Sequence, residues 1–287
     1  MTEASTRNVQ GPDLRQWIKI VVYTLLIANW GYYFWDDWQI ANHTLRNGGT
    51  FLDWTAAFAV SIDELAWFAL LLLFELETYA LSDEALTRSR TLLMHGARLL
   101  CYLFLAHTMY AYTVAAGDLH GVPPLPEGSH PCEMTEQEVS FGSNLAYTDL
   151  DAQNCHTVST DTVFFLIEDG SIVTDTQGLI TERRLVWVDL AEACVWLLIL
   201  LAIEVQVRLQ DRSIVKGPLV KTLGYGKLIL YGSLWAAAAY WVYGGHYVYA
   251  WDEALWILGF TAIGMNMSDW KKEITEAEAS ASSSPAL

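Results

Sequence analysis

The sequence is short of basic residues. Lys and Arg together number 16, against 33 Asp and Glu, so the formal net charge is −17. Proteins that bind nucleic acid neutralise phosphate groups with basic patches, and this charge balance therefore excludes nucleic acid as a partner. The shortage is greatest between Asp118 and Glu182, where twelve acidic residues occur and Lys and Arg are absent.

The motifs of common soluble enzymes are also missing. The sequence contains no Walker A, CxxC, HExxH or GxSxG pattern, so it offers no constellation for phosphoryl, thiol-redox, zinc-peptidase or acyl-transfer chemistry. We expect no catalytic residue, no resident metal and no cofactor. A haem would need a second axial histidine opposite His107, and His95 and His246 lie at other depths along the chain.

Charged residues are scarce overall, at 17%, whereas soluble domains carry about 25%. The apolar residues instead form long runs, and a membrane-spanning helix needs about 20 of them. The thirteen Trp and fourteen Tyr agree with this class, because these side chains collect at membrane interfaces. The six predicted spans are 17–35, 56–76, 97–116, 185–204, 226–244 and 247–267. The chain is thus predicted to be an all-α, multi-pass integral membrane protein.

The positions of the basic residues predict how the spans are oriented. Lys and Arg occur mainly before span one, between spans two and three, between spans four and five, and after span six. Such loops remain in the cytoplasm. The opposite side has only Arg46, Arg183 and Arg184, so both termini are predicted to be cytoplasmic. Residues 1–16 are polar and the first apolar run begins near Trp17, so we expect no cleavable signal peptide.

These boundaries divide the chain into five predicted segments. They are a cytoplasmic N-terminus at 1–16, helices one to three at 17–116, an acidic extracytoplasmic domain at 117–184, helices four to six at 185–270, and a disordered cytoplasmic tail at 271–287. We expect the membrane to be a cell membrane, and a bacterial inner membrane in particular.

The acidic segment contains Cys132 and Cys155, which would pair in an oxidising compartment. Asp169-Gly170 separates two short apolar stretches, and this dipeptide is typical of a β-hairpin turn. We therefore expect a small, partly β domain stapled by a disulfide. Its acidic surface could bind a cation such as calcium, or it could simply be a solvated surface.

Spans two, four and six share an acid-x-x-x-Trp pattern, which places an acid and an indole on one helical face. The three pairs are Asp63 with Trp67, Glu192 with Trp196, and Asp252 with Trp256. The odd spans each place a polar residue mid-span: Asn29, His107 and Tyr240. This periodicity predicts three helical hairpins in series, with the acidic domain inserted into the second.

The rise of an α-helix, about 1.5 Å per residue, puts these polar residues at similar depths. Ionisable groups inside a bilayer are costly and usually face a protein interior or a wet cavity. We therefore predict an intramembrane polar layer made of Asp63, Glu64, Glu192, Asp252, Glu253, His107, Asn29 and Tyr240. Trp67, Trp196 and Trp256 are its expected aromatic neighbours, and Glu75, Glu77 and Glu204 are expected at the inner interface.

Two interpretations of this layer remain open. The acids could form a pathway for cations or protons, which predicts a channel or transporter. They could equally hydrogen-bond across helices and hold the bundle together. In that case the chain would be a non-transporting sensor or a subunit of a membrane complex, whose acidic domain binds a partner. The bilayer is the one partner expected under both interpretations, and a homo-oligomer is compatible with either.

Overall fold

The computed structural model describes residues 14–77 and 87–283, and this part of the chain is mostly helical. Residues 1–13 and 284–287, which belong to the predicted N-terminal and C-terminal segments, lie outside the described residues. The helices are α1 (Leu14–Thr44), α2 (Phe51–Ala57), α3 (Ala59–Glu75), α4 (Arg88–His120), α5 (Thr176–Asp211), α6 (Pro218–Tyr243) and α7 (Tyr247–Ser283). The predicted spans all fall on these helices.

Two helices, α4 and α5, are each long and apolar enough to cross a membrane, which indicates a membrane protein. The pair α2 and α3 meets the same standard if it is taken as one span, although the two helices meet at 67°. The bend occurs at Phe58, which ends α2. Thr50 starts α2 with a capping box, in which its hydroxyl and the Asp53 carboxylate satisfy each other's backbone N–H groups.

If the bent pair α2 and α3 is counted as one unit, the helices form a ring of six units. Each one packs against its successor in the sequence, and α7 closes the ring by packing against α1. A core of fully buried apolar side chains fills the centre, with contributions from all six units. Its members include Leu26, Leu70, Phe74, Leu105, Ile199, Leu234, Phe260 and Ile263. The connection between α6 and α7 is only residues 244–246, so these two helices are antiparallel neighbours.

The C-terminal segment differs from the prediction. The chain beyond Lys271 was expected to be disordered, but α7 continues as a helix as far as Ser283. This stretch is rich in Ala, Glu and Lys, which have high helix propensity and can extend a helix that is already anchored by packing. Lys272 also pairs with Asp269 one turn earlier.

A small four-stranded sheet is inserted between α4 and α5. Its strands are β1 (Ser140–Ser143), β2 (Ala146–Asp149), β3 (Phe164–Ile167) and β4 (Ile172–Asp175). The strand order is β2-β1-β4-β3, in which only the β1–β4 pair is parallel. The predicted hairpin is present, with Asp169-Gly170 in the turn between β3 and β4. The predicted disulfide between Cys132 and Cys155 is confirmed.

The sheet is fixed to the ends of the helices at what we call the sheet end of the bundle. Arg46, just after α1, donates to the backbone carbonyl of Glu138 at 3.0 Å and pairs with Asp149 of β2. On the other side, Asn144 in the β1–β2 turn lies 3.0 Å from the His246 ring, between α6 and α7. Helix α4 continues to His120, and α5 begins at Thr176, directly after its capping residue Asp175, so the non-helical insertion is shorter than the predicted segment 117–184.

Candidate functional site

A cavity of about 860 Å³ lies between the sheet and the centre of the helix ring. It extends from Glu168 and Asp169, in the β3–β4 turn, to Trp256 and Phe260 on α7. Twelve of its lining residues are acidic: Asp37, Asp53, Asp63, Glu64, Asp118, Glu168, Asp169, Glu182, Asp189, Glu192, Asp252 and Glu253. Among the described residues, no Lys, Arg or His lines it. The charged residue types that line the cavity are therefore all acidic.

Four tryptophans donate their indole N–H groups to four of these acids. Trp67 donates to Asp63 at 3.0 Å, and Trp256 donates to Glu64 at 2.8 Å. In the same way Trp196 donates to Glu253 at 3.2 Å, and Trp241 donates to Glu192 at 2.8 Å. All four rings also line the cavity. A buried carboxylate needs hydrogen-bond donors, and neutral indoles supply them here without supplying a positive charge.

The acid-x-x-x-Trp pattern predicted that each acid and its Trp would share a helical face. Asp63 and Trp67 interact in this way within α3, and the Trp256 indole also contacts Asp252 within α7. The acceptor of Trp196 is on α7, and the acceptor of Trp256 is on α3. The indoles therefore connect helices across the ring. An indole on the same helical face as an acid can extend beyond that acid and reach the facing helix.

The indole bonds leave some acid oxygens unsatisfied. One carboxylate oxygen in each of Glu64, Glu192 and Glu253 is buried and receives no N–H or O–H donor. Glu64 and Glu253 are themselves more than nine-tenths buried. The carboxyl group of Glu64 also lies against that of Asp252, which accepts a hydrogen bond from Asn29 at 2.8 Å and also contacts the Trp256 indole. Two carboxyl groups in contact require a proton or a cation between them.

The structure brings together the five acids of the predicted layer in one cavity, but it places two other members elsewhere. His107 does not line the cavity; its neighbour Thr108 does. The His107 ring stacks on Tyr110, and its buried Nε2 atom has no partner. Tyr240 faces a second, apolar groove of about 360 Å³ between α5 and α6. Glu192 lines both spaces.

Several functional side chains were not predicted. Trp241 is the fourth indole donor, and no acid precedes it by four residues, so the pattern could not identify it. Asp37 accepts hydrogen bonds from the backbone N–H and the hydroxyl of Ser61, at 2.9 and 2.6 Å. Asp189 lies one turn before Glu192 in an apolar segment. An acidic residue within an apolar run is the sequence signal that could have identified it.

The acids predicted at the inner interface form a separate cluster at the far end of the bundle from the sheet. Glu75 accepts from Lys19 at 2.6 Å, and both also contact Asn266. Glu77 and Glu204 both pair with Arg98, at the start of the apolar part of α4. In contrast to the cavity acids, these three have basic partners. The ion pairs join α1 to α3 and α4 to α5, and the hydrogen bonds of Asn266 add α7 to the first pair.

One group of metal-binding residue types occurs in the sheet domain. Within residues 14–77 and 87–283, only His130, Cys132 and His156 bring three potential donor atoms within 4.8 Å of one another. Cys132 is bonded to Cys155 and therefore offers no thiolate ligand. The cavity carboxylates do not converge to this degree. Their arrangement suits diffuse or proton-linked binding of positive charge better than a compact metal site.

The outer mouth of the cavity carries a carboxyl group with a perturbed pKa. Glu168 lies in the turn between β3 and β4, where its exposed side chain lines the cavity. Desolvation, together with the negative charges of Glu182, Asp169 and Asp118, raises the pKa of Glu168 to about 7. This group changes its charge near neutral pH, at the end of the cavity formed by the sheet domain.

Comparisons with protein families, with curated proteins and with solved structures find no match to this chain. The chemistry of the site therefore has to be inferred from its own residues.

Proposed function

We propose that the chain crosses a cell membrane six times, with both termini in the cytoplasm and the sheet domain outside. Exposed apolar side chains on helices other than α4 and α5 support this topology, because such side chains suit contact with lipid. Examples are Ile18 and Ile27 on α1, Leu228 and Ile229 on α6, and Leu258 on α7. The polar residues of these helices, such as Lys19 and Asp252, are buried inside the ring, so their charges do not oppose insertion as exposed charges would.

Labelling of single cysteines tests this topology. Lys216→Cys lies in the exposed α5–α6 connection, and Asp151→Cys lies on the exposed surface of the sheet domain. Both would be made in a Cys194→Ser background. A membrane-impermeant maleimide added from outside is expected to label position 151 and to label position 216 only after the membrane is opened. Labelling of both positions in intact cells would contradict a six-span arrangement.

We further propose that the protein transports cations or protons through the acidic cavity. The observation that carries this proposal is a set of buried carboxylates with neutral indole and amide donors and with no basic residue beside them. If the acids served only to join helices, basic partners would satisfy them, as Lys19 and Arg98 do at the other end. Buried acids without basic partners at this depth instead favour a cation or proton that binds to them and is then released.

An apolar barrier closes the proposed pathway on the cytoplasmic side. Below Trp67 the ring is filled by the fully buried Leu70, Phe74 and Ile263, and the ion pairs of Glu75 lie beyond them. Along α3 the distance from Trp67 to Glu75 is about 12 Å. The described arrangement therefore corresponds to a pathway open towards the sheet and closed at the cytoplasmic end, and transport requires this barrier to open.

Flux measurements on the purified protein in liposomes test the proposal. Interior pH and potassium would be followed with and without an imposed membrane potential. We expect flux in the wild type and its loss in the variant Asp63→Asn, Glu192→Gln, Asp252→Asn, which keeps side-chain size. Glu273→Gln, at an exposed position near the end of α7, is the matched control and should retain flux. Equal flux in the triple variant would exclude the acid layer as the pathway.

A further inference from the structure

The size of the acidic cavity exceeds what a proton or a bare metal ion requires. Its volume is about 860 Å³, whereas sites for small organic molecules occupy roughly 300–1,000 Å³. A proton relay needs only side chains and single waters within hydrogen-bond reach. The cavity also differs from a metal site, since its carboxylates do not converge on one point. Its dimensions match those of an organic ligand.

The deep wall of the cavity is aromatic and rigid. The Phe260 ring lies 5.7 Å from Trp67, 5.3 Å from Trp196 and 6.2 Å from Trp256, measured between centroids. Each of these indoles is also fixed by its N–H bond to an acid. Indole faces attract cations, with Trp the strongest of the aromatic side chains. Rings held in place in this way bind a cationic group without losing rotamer freedom.

The unsatisfied oxygens specify the kind of cation. One oxygen each of Glu64, Glu192 and Glu253 is buried without a donor, although a buried acceptor normally has one. An ammonium group supplies both the missing N–H donors and the missing positive charge. A quaternary ammonium supplies only the charge. Glu64, Glu192 and Glu253 do not bring their oxygens within 4.8 Å of one another, so one ammonium group cannot bond all three, and a ligand that satisfies them all needs more than one.

We propose that the cavity binds an aliphatic polyamine, with its ammonium groups bonded to Glu64, Glu192 and Glu253 and its methylene chain against Trp67, Trp196 and Trp256. This proposal rests on the proposed function, because it names the substrate class for the same cavity. The methylene segments suit the apolar ring faces, and the ammonium groups suit the carboxylates. The acids around the outer mouth attract such a multiply charged ligand from the external side.

Calorimetry on the full-length protein in nanodiscs tests the proposal. The probes are spermidine, tetraethylammonium and potassium, at one ionic strength and at pH 7.5. We expect saturable binding of spermidine that potassium does not reproduce and that tetraethylammonium reproduces only weakly. Glu64→Gln and Glu253→Gln should each weaken spermidine binding about tenfold or more, as expected for loss of a hydrogen bond to a charged group. Glu273→Gln should bind like the wild type.

A second measurement needs no substitution. Dicyclohexylcarbodiimide reacts with carboxyl groups in apolar surroundings, and the modified residues can be located by mass spectrometry. Spermidine should protect Glu64, Glu192 and Glu253 of the wild-type protein, and potassium should not. Spermidine binding that matches potassium, or that both Gln variants leave unchanged, would overturn the proposal, as would tetraethylammonium binding as tight as that of spermidine.

The liposome measurements separate this inference from the proposed function. Proton or potassium flux without spermidine binding would refute the polyamine and leave the transport proposal intact. Spermidine binding by a protein that carries neither protons, potassium nor spermidine would confirm the binding site. It would also refute transport and indicate a receptor for polyamines.

Discussion

Trp256 on α7 donates its indole N–H to Glu64 on α3 across 2.8 Å, although 192 residues separate the two in the chain. Trp256 also lies four residues after Asp252, the acid whose carboxyl group meets that of Glu64. One indole therefore sits where two helices bring their acids together. The bond fixes the orientation of Glu64 in the cavity and joins α3 to α7 across the ring.

Removing this indole donor should destabilise the protein. Trp256→Phe keeps most of the ring but leaves both oxygens of the Glu64 carboxylate without an N–H donor, and we expect a loss of about 1–3 kcal/mol. The measurement is the midpoint of thermal unfolding in detergent, compared with Trp235→Phe on the exposed face of α6. That control should change the midpoint little.

A double-mutant cycle would show whether the loss comes from the bond itself. In a Glu64→Met background, Trp256→Phe should cost less than it does alone, because no acid then needs the donor. Equal costs in the two backgrounds would show that the indole contributes packing only.

Breaking the ion pair at the far end by changing one partner should destabilise the protein strongly, whereas replacing both partners should cost little. Glu75→Gln removes the carboxylate that lies 2.6 Å from Lys19, a side chain that is 7% exposed. Loss of one partner of a buried pair costs about 3–5 kcal/mol, because the remaining charge is left in the interior. Unfolding midpoints of purified variants measure this cost.

The matched control is the exposed pair of Lys272 and Asp269, where Asp269→Asn should cost less than about 1 kcal/mol. The double variant Lys19→Met, Glu75→Gln should recover most of the stability, since it leaves no buried charge at this position. A double variant as unstable as Glu75→Gln alone would contradict the electrostatic explanation.

The stability of the protein should depend on pH through Glu168. Desolvation by the surrounding protein and the negative charges of neighbouring acids raise the pKa of this carboxyl group from 4.5 to about 7, so between these values the folded state keeps a proton that the unfolded state releases. Stability must then fall as the pH rises from 4.5 to 7, and it stays lower above that range. Glu168→Gln removes this contribution and is expected to raise the unfolding midpoint at pH 8, with little change at pH 4.5.

Glu136→Gln, at an exposed position in the same domain, is the control for Glu168 and should show the wild-type dependence on pH. A Glu168→Gln variant that follows the wild-type curve throughout would show that other groups cause the dependence.

The disulfide should stabilise the sheet domain more than the helices. It joins Cys132 and Cys155, which are 23 residues apart, and closing a loop of this length contributes about 3 kcal/mol. The double variant Cys132→Ser, Cys155→Ser should therefore become sensitive to protease between residues 121 and 175 while its helical circular dichroism is retained. Cys194 is an exposed free cysteine, and the control variant Cys194→Ser should have no such effect. Protease resistance of the double variant would show that the hydrogen bonds of Arg46 are sufficient to hold the domain in place.

The sequence alone was enough to identify the membrane class, the approximate positions of the long helices, the disulfide and five of the twelve acids of the cavity. Each of these depends on composition or on a local pattern: apolar runs set the helices, and an acid inside an apolar run is conspicuous wherever it points. Local patterns also failed at the C-terminus, where residues 271–283 are helical although they were predicted to be disordered.

Tertiary structure alone decided which side chains meet. Successive residues of a helix differ in direction by about 100°, so Thr108 lines the cavity while His107 beside it does not. Each indole finds its acid according to how the helices are rotated and packed, and three of the four bonds join different helices. The sequence shows that buried acids are present, whereas the packing of α3, α5 and α7 determines that they share one cavity and that no basic residue reaches them there.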